Sequence, residues 1–481
     1  MLCKIVIRDE VNCKLEGLDV DTRRRLVAKF KYEVPYARYL PAVRLGRWDG
    51  KIAYFQLGGS TYINLLPEVI EYLSERNWEF EIEDQRPHRD PFYFDEVDAV
   101  TFALKSWPMS HIRAGEPIVL RDYQIEIINK FLTDTQCIQE VATGAGKTIM
   151  TAALSLSVQS YGRTIVIVPS KGLVTQTEED YKNLGLDVGV YFGDRKELGR
   201  THTICTWQSL NSLYKSSRGK SEEWATVTDV VAIIVDEVHQ AKAEVLKAML
   251  TQEFAHVPIR WGLTGTIPKE KFEQAALLAS IGKVISQLKA SELQEAGVLS
   301  NCHVNIVQTV EYSDFRNYQE ELKYLTTNKE RLDHLSGLVG EIIKSGNTLI
   351  LVDRRECGEE LVARLPNSIF VHGDMKNADR KEHYDEIANV SDKIIVATYG
   401  VAAVGINIPR IFNLVLLEPG KSFVRVIQSI GRGIRKADDK DFVQIWDITA
   451  DCKFAKRHLT KRKVFYKEAN YPFTQEKSIY K

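Results

Sequence analysis

The sequence has few cysteines, no long apolar run and no excess of either charge. Its seven cysteines (Cys3, Cys13, Cys137, Cys205, Cys302, Cys357 and Cys452) are scattered and contain no CxxC pair. That spacing excludes a disulfide framework and a cysteine-based zinc site, and it suits reduced thiols. The longest apolar runs, such as Val230–Val235, hold about six residues, where a membrane helix needs ~20. Lys4, Arg8, Asp9 and Glu10 crowd Met1–Glu10 with more charge than a signal-peptide core tolerates. A cytoplasmic protein with no membrane partner is the expectation. Lys+Arg number 64 and Asp+Glu 65, so the net charge is −1. A chain this balanced is no whole-molecule polycation, and any nucleic-acid surface has to be a local patch.

What is present is the composition of a globular protein: 481 residues, 44% hydrophobic and 27% charged. Charge is distributed unevenly. Residues 1–60 carry 12 basic and 7 acidic side chains, residues 61–120 carry 5 and 12, and residues 419–481 carry 15 and 7. Residues 1–85 read as a small α+β domain: Leu2–Arg8 alternates like a strand, Lys51–Leu57 suits a second, and Pro67–Arg76 an amphipathic helix. The proline-bearing stretch 86–117 reads as a linker, with a short helix expected over Val97–Lys105. From residue 118, short β-rich runs alternate with helical stretches. One series is Cys137–Val141, Thr164–Val168, His202–Thr206, Val230–Val235 and Trp261–Leu263. The other is Thr348–Val352, Ile369–Val371, Lys393–Ala397, Leu414–Leu417 and Phe442–Trp446. Such alternation predicts two tandem parallel-sheet α/β domains, 118–295 and 296–450, followed by a short basic extension, 451–481.

Three motifs carry chemistry. Ala142-Thr143-Gly144-Ala145-Gly146-Lys147-Thr148 joins a strand to a helical run, so backbone N–H groups and a helix N-terminus face an anion. Lys147 would reach the β/γ-phosphates of ATP, and the Thr148 hydroxyl would hold Mg²⁺. Asp236-Glu237-Val238-His239 follows an apolar strand, and a carboxylate at the C-terminal end of a parallel strand lies in the ligand crevice. Asp236 would bind Mg²⁺, and Glu237 would orient and deprotonate the attacking water. Gln428-Ser429-Ile430-Gly431-Arg432-Gly433-Ile434-Arg435 sets Arg432 and Arg435 three apart, on one helical face, as cations for a transferring phosphoryl group.

In this order and spacing the motifs resemble those of superfamily 2 helicases and translocases of the DExH type, over residues 118–450. The resemblance implies two RecA-like domains with ATP bound in their cleft. It assigns Arg121 and Gln124, within Leu120-Arg121-Asp122-Tyr123-Gln124, to reading adenine, and Gln428 to the catalytic set. It assigns Ser170, Lys171 and Gln176, then Thr206, Trp207 and Gln208, to contacts with a nucleic-acid strand, and places Arg354 and Thr398 with them. Gly405 falls in the segment that bridges nucleic acid and ATP, and Leu263-Thr264-Gly265-Thr266 resembles the motif coupling the two.

Upstream, Tyr39 to Ile52 is similar to the N-terminal domain of the UvsW-type recombination helicases of tailed phages. That likeness implies an ATP-dependent helicase acting on branched DNA, in recombination, repair and replication control. Its substrates would be branched or partly single-stranded DNA and RNA–DNA hybrids, its partners recombination or replication proteins, and its setting the host cytoplasm. From the residues alone, Arg38, Arg44, Arg47 and Lys51, interleaved with Tyr36, Tyr39 and Trp48, suit a DNA-contact patch in which arginines grip phosphates and aromatics stack on exposed bases, the alternative being a solvated turn with Trp48 in the core. Lys453, Lys456, Arg457, Lys461, Arg462, Lys463 and Lys467 suit a stretch that tracks a DNA backbone. Other classes remain open from the core motifs: an RNA helicase, a restriction-enzyme motor, or an ATPase that remodels or anneals without unwinding.

Overall fold

Runs of Ile, Val and Leu with no polar alternation require cover on both faces, which is the environment of a parallel sheet between helices. The computed structural model describes every residue except 88–90, 109–112, 243, 376–378, 380–381, 384–389, 406–409, 423–429, 432–438 and 481. By contact pattern the chain forms two units: Met1–Glu140 with Gly146–Gln287, and Leu288–Lys481 with the turn Val141–Ala145.

The first unit is built on an eight-stranded sheet in the order Arg195–Lys196, Val188–Phe192, His202–Cys205, Thr164–Ile167, Ala232–Asp236, Ile259–Thr264, Gln136–Val141, Lys283–Leu288. The strands from Val188–Phe192 to Gln136–Val141 run parallel. Thr164–Ile167 and Ile259–Thr264 are buried at every position. One core cluster joins Ile165, Ile167, Ile233 and Val235 to Leu210, Leu250 and Phe254.

In the same unit, residues 1–85 form a four-stranded sheet, Ser60–Tyr62, Asn12–Glu16, Leu2–Ile7, Glu79–Asp84, with helices Val20–Lys29 and Leu66–Ser74. Alternate strand residues Cys3, Ile5, Cys13 and Leu15 turn inward onto Leu26, Phe30, Val69 and Leu73. That core does not end at the small sheet. It includes Ala275, Ala276 and Ala279 of helix Lys271–Ser280, whose short side chains allow close approach. Polar bonds fix the same junction: Tyr54 Oη donates to the Phe272 carbonyl at 2.9 Å, Asn12 Nδ2 to the Thr251 carbonyl at 2.8 Å, and Gln136 Nε2 to the Glu10 carbonyl at 2.8 Å.

The helix expected over Val97–Lys105 is replaced by successive turns. Ala103 N donates to the Val100 carbonyl and Lys105 N to the Phe102 carbonyl. The carbonyls of Ala99 and Lys105 are taken by Leu120 N and Ile118 N, so they are committed outside any helical ladder. Asp98 also draws the Val100 N–H to its own carboxylate.

The second unit carries seven strands, all parallel, in the order Ser368–Val371, Ile394–Thr398, Thr348–Val352, Asn413–Leu417, Phe442–Ala450, Asn301–Thr309, Phe473–Ser478. The two α/β sheets have the expected class. The expected basic extension is different: helix Lys453–Glu468 packs on this sheet and strand Phe473–Ser478 completes it. Arg462, read as a DNA contact, is 1% exposed. It grips Asp447 in bidentate fashion at 2.8 and 2.9 Å and donates to the Gly420 carbonyl, while Tyr466 Oη donates to the same Asp447 at 2.7 Å. An aliphatic Leu459–Ala455 stripe buries that helix face, and an arginine on it has to find a carboxylate inside.

Arg462→Met should therefore lower stability by about 3–5 kcal/mol, because Asp447 is left buried and unpaired. Urea unfolding measures this. The double variant Arg462→Met, Asp447→Leu should recover much of the loss, and a silent single variant would contradict the buried-pair account.

Candidate functional site: a phosphate turn and a polar groove on one sheet edge

Parallel strands all end at the same edge, and the first unit puts its polar residues there. Gln136–Val141, Ile259–Thr264 and Ala232–Asp236 are neighbours in the sheet. At that edge the first runs into the glycine-rich turn, the second into Thr264-Gly265-Thr266, and the third into Asp236 with Glu237 and His239.

The turn leads into helix Lys147–Val158, whose N-cap Gly146 has φ 86°, the left-handed region that favours glycine. A Cβ on Gly146 would also lie 2.7 Å from Gln124 Nε2. Gln124 is 6% exposed, and its Oε1 accepts from Arg121 N at 3.0 Å, so it closes the start of its own helix, Asp122–Leu132, against the phosphate turn. Arg121 lies outside, with Nη1 on Tyr123 Oη at 3.2 Å.

Lys147 Nζ meets Glu237 Oε1 at 2.9 Å, each side chain 11% exposed. Glu237 Oε2 faces His239 Nδ1 at 3.3 Å, and that nitrogen lies 2.8 Å from Thr264 Oγ1. Thr264 Oγ1 in turn accepts from Thr266 N at 3.2 Å. Glu237 has φ 53°, strained for a non-glycine residue, and Asp236 Oδ1 accepts from its N–H at 2.9 Å. That backbone kink turns the carboxylate back to the lysine. Burial pushes the Glu237 carboxyl up; the Lys147 ammonium, with His239, overcomes this and holds it well below the usual carboxylate range.

This end of the unit fits the phosphates of a nucleotide. Helix Lys147–Val158 presents first-turn N–H groups with no partner inside the helix, and Lys147 is a cation already held by an exchangeable carboxylate. Thr148 and Asp236 offer hard oxygen ligands. Mg²⁺ is commonly held by one or two protein oxygens together with phosphates and water.

Along the same edge, strands Thr164–Ile167 and His202–Cys205 lead into helices Lys171–Asn183 and Trp207–Ser217. Ser170 Oγ accepts from Leu173 N and Thr206 Oγ1 from Ser209 N, so both predicted contact residues cap helices. Both helix starts open on one groove of about 690 Å³, lined by Ser170, Lys171, Thr206, Gln208 and also by Lys196 and Glu223. Gln176 is exposed on its helix and Trp207 packs against the core, and neither lines the groove. Lys196 carries no motif. The turn at Gly193-Asp194 after the apolar run Val188–Phe192 was its only signal.

In the second unit, Thr398 ends strand Ile394–Thr398 and Gly405 ends helix Tyr399–Gly405. Arg354 precedes helix Arg355–Val362, its Nη2 on Gln319 Oε1 at 3.2 Å. Gln428, Arg432 and Arg435 lie outside the described residues. In the N-terminal sheet region, Arg44, Arg47 and Lys51 are exposed, but Trp48 is half-buried against the cluster of Val34, Ala37 and Phe272, with Nε1 on the Lys51 carbonyl at 2.9 Å. Trp48 thus packs one side against that cluster and leaves the rest of its ring partly exposed.

Two family descriptions match in the order of the two sheets: "Type III restriction enzyme, res subunit" over residues 117–269 and "Helicase conserved C-terminal domain" over residues 330–437. The chain belongs to the superfamily 2 helicases. The ATP-dependent DNA helicase uvsW of Enterobacteria phage T4 is 23% identical to this helicase over 441 residues, 87% of this chain and 85% of that one. The DNA 3′-5′ translocase XPB2 of Sulfurisphaera tokodaii is 30% identical over 209 residues, 43% of this chain and 44% of its own. The Mycobacterium smegmatis helicase Lhr, solved with single-stranded DNA and AMP-PNP, shares the fold at a TM-score of 0.53 and 16% identity, covering 72% of this chain and 47% of that one. The two matched domains are ATPase domains, and the helicase is an ATP-hydrolysing enzyme.

Lys147→Ala should abolish ATP hydrolysis by removing the cation beside the phosphate turn. Glu237→Gln should still bind ATP yet lose turnover, since only the basic carboxylate is gone. Nucleotide binding and phosphate release, measured side by side, check both; near-normal hydrolysis in either variant contradicts the role given to the pair.

Proposed function

We propose that this helicase is an ATP-dependent DNA helicase and translocase that acts on branched DNA, migrating junctions and unwinding D-loops and R-loops in recombination, repair and replication control. The observation that carries the reading is the bonded path from Lys147 through Glu237 and His239 to Thr264, on the sheet edge that also holds the two-helix groove. Its match along most of the phage relative's length supports the substrate class.

In this reading Lys147 leaves Glu237 for the γ-phosphate, which is the stronger anion. Glu237 is then free to orient and deprotonate water; Thr148 and Asp236 would hold Mg²⁺, which would supply positive charge near the phosphates. His239 and Thr264 position Glu237 and tie its state to the segment Thr264–Thr266. Gln428, Arg432 and Arg435 complete the catalytic set. The groove holds one strand: two helix starts, Lys171 and Lys196 meet phosphates, and Glu223 closes one side. By the motif resemblance Arg354 and Thr398 contact nucleic acid as well, and Arg44, Arg47 and Lys51 add the preference for branches.

The test is the ATPase rate with single-stranded, duplex, forked and four-way DNA and with RNA. Forked DNA should stimulate most, and RNA exceeding every DNA would replace this reading with an RNA helicase. Deleting residues 1–85 is a poor probe, because their core is shared with helix Lys271–Ser280. The exposed triple change Arg44→Ala, Arg47→Ala, Lys51→Ala should instead remove the fork preference at unchanged melting temperature. Lys171→Ala with Lys196→Ala should lower the slope of log affinity against log salt for single strands by up to about 1.4, two contacts' worth of released counterions.

A further inference from the structure

Strands Lys31–Glu33 and Lys51–Ala53 pair antiparallel, and the chain between them folds over as a 3-10 turn, Ala37–Tyr39, and a one-turn helix, Pro41–Arg44. The inner side of this loop is anchored. Val34 and Ala37 pack on Phe272, with Val43, Trp48 and Ile52 against them, and Tyr36 meets the Phe272 ring edge-on at 6.1 Å.

The outer side is apolar and cationic together. Tyr36, Tyr39, Leu40 and Leu45 are 56, 60, 38 and 64% exposed. Arg38 lies over the Tyr39 ring at 4.9 Å, and residues 34–48 contain Arg38, Arg44 and Arg47 but no carboxylate. Single exposed leucines are ordinary, but four large apolar side chains in ten residues, interleaved with Arg38 and Arg44 while the carboxylates Glu33 and Asp49 sit only at the base of the loop, form a patch with a partner. The charge selects a polyanion. The rings and leucines select one whose flat apolar faces are accessible. Continuous duplex hides its base faces, whereas the point where duplex opens into single strands shows phosphates and base faces within one small area.

We propose that residues 36–45 form a wedge that seats at the junction of duplex and single strand, with Tyr39 stacking on an outermost base and Leu40 and Leu45 filling the gap as the pair opens. Arg44 and Arg47 hold the flanking phosphates. This rests on the branched-DNA reading above and adds the element that parts the strands. Anchoring on Phe272 gives the wedge a rigid base, so translocation of the strand can press the junction against it.

The test uses the full chain with Tyr39→Ser, Leu40→Ser and Leu45→Ser combined, every arginine kept. All three side chains are exposed, and an unchanged circular-dichroism melt verifies the fold. A fork with 2-aminopurine at its last base pair should brighten when wild-type protein binds without ATP, and much less with the variant. Fork unwinding should fall about tenfold or more while single-strand-stimulated ATPase is unchanged. Equal brightening and equal unwinding by the two proteins would overturn the wedge, and if both still prefer forks the branched-DNA reading survives without it. A wild-type protein with full single-strand ATPase and no fork preference would instead remove that reading. A sedimentation shift from dimer to monomer in the variant would make a second copy of the chain the occupant and also overturn the wedge.

Discussion

A parallel sheet sends every strand out at the same edge, and that constraint organises the first unit. Five neighbouring strands end there, and each is followed by a polar or glycine-rich segment. Their order in space, Thr206, Ser170, Asp236, Thr264, Ala142, is not their order in sequence. Spatial order puts the nucleotide-type chemistry over three adjacent strands and the groove over the next two. The Lys147–Glu237 pair and the groove are therefore neighbours along one edge, with Asp236 at the border between them.

Within that edge the buried pair of Lys147 and Glu237 does two things. It satisfies an ammonium and a carboxylate that burial would otherwise penalise heavily. It also keeps the Lys147 ammonium at the start of its helix, beside the glycine-rich turn. The left-handed backbone at Glu237 is consistent with this: strain of that kind persists only where surroundings impose it.

The sheets and the phosphate turn were legible because their signals are local. Thr348–Val352 declares itself as a strand by composition, and Gly144 to Thr148 by a fixed spacing. Longer-range facts were not legible. Nothing near His239 indicates that Thr264 lies 2.8 Å away, and nothing near Lys196 indicates that it shares a groove with Lys171. Two readings failed because partners outside the window decided them. Leu120 took the Ala99 carbonyl that a helix over 97–105 needed, and Asp447 drew Arg462 inside a stretch that reads as wholly solvated. Trp48 and Tyr36 show the same limit: both are aromatic residues in a basic turn, and only Phe272 determines which face of that turn is inward.

Strand Asn301–Thr309 opens the second sheet in sequence, yet its neighbours are Phe442–Ala450 and Phe473–Ser478. Its hydrogen-bonding edges stay unpaired until nearly all of the later chain exists. Assembly of this unit is thus governed by closure of a very long loop, with a high contact order and slow folding as the result. During that interval both edges of a nine-residue strand are open to pairing with other chains.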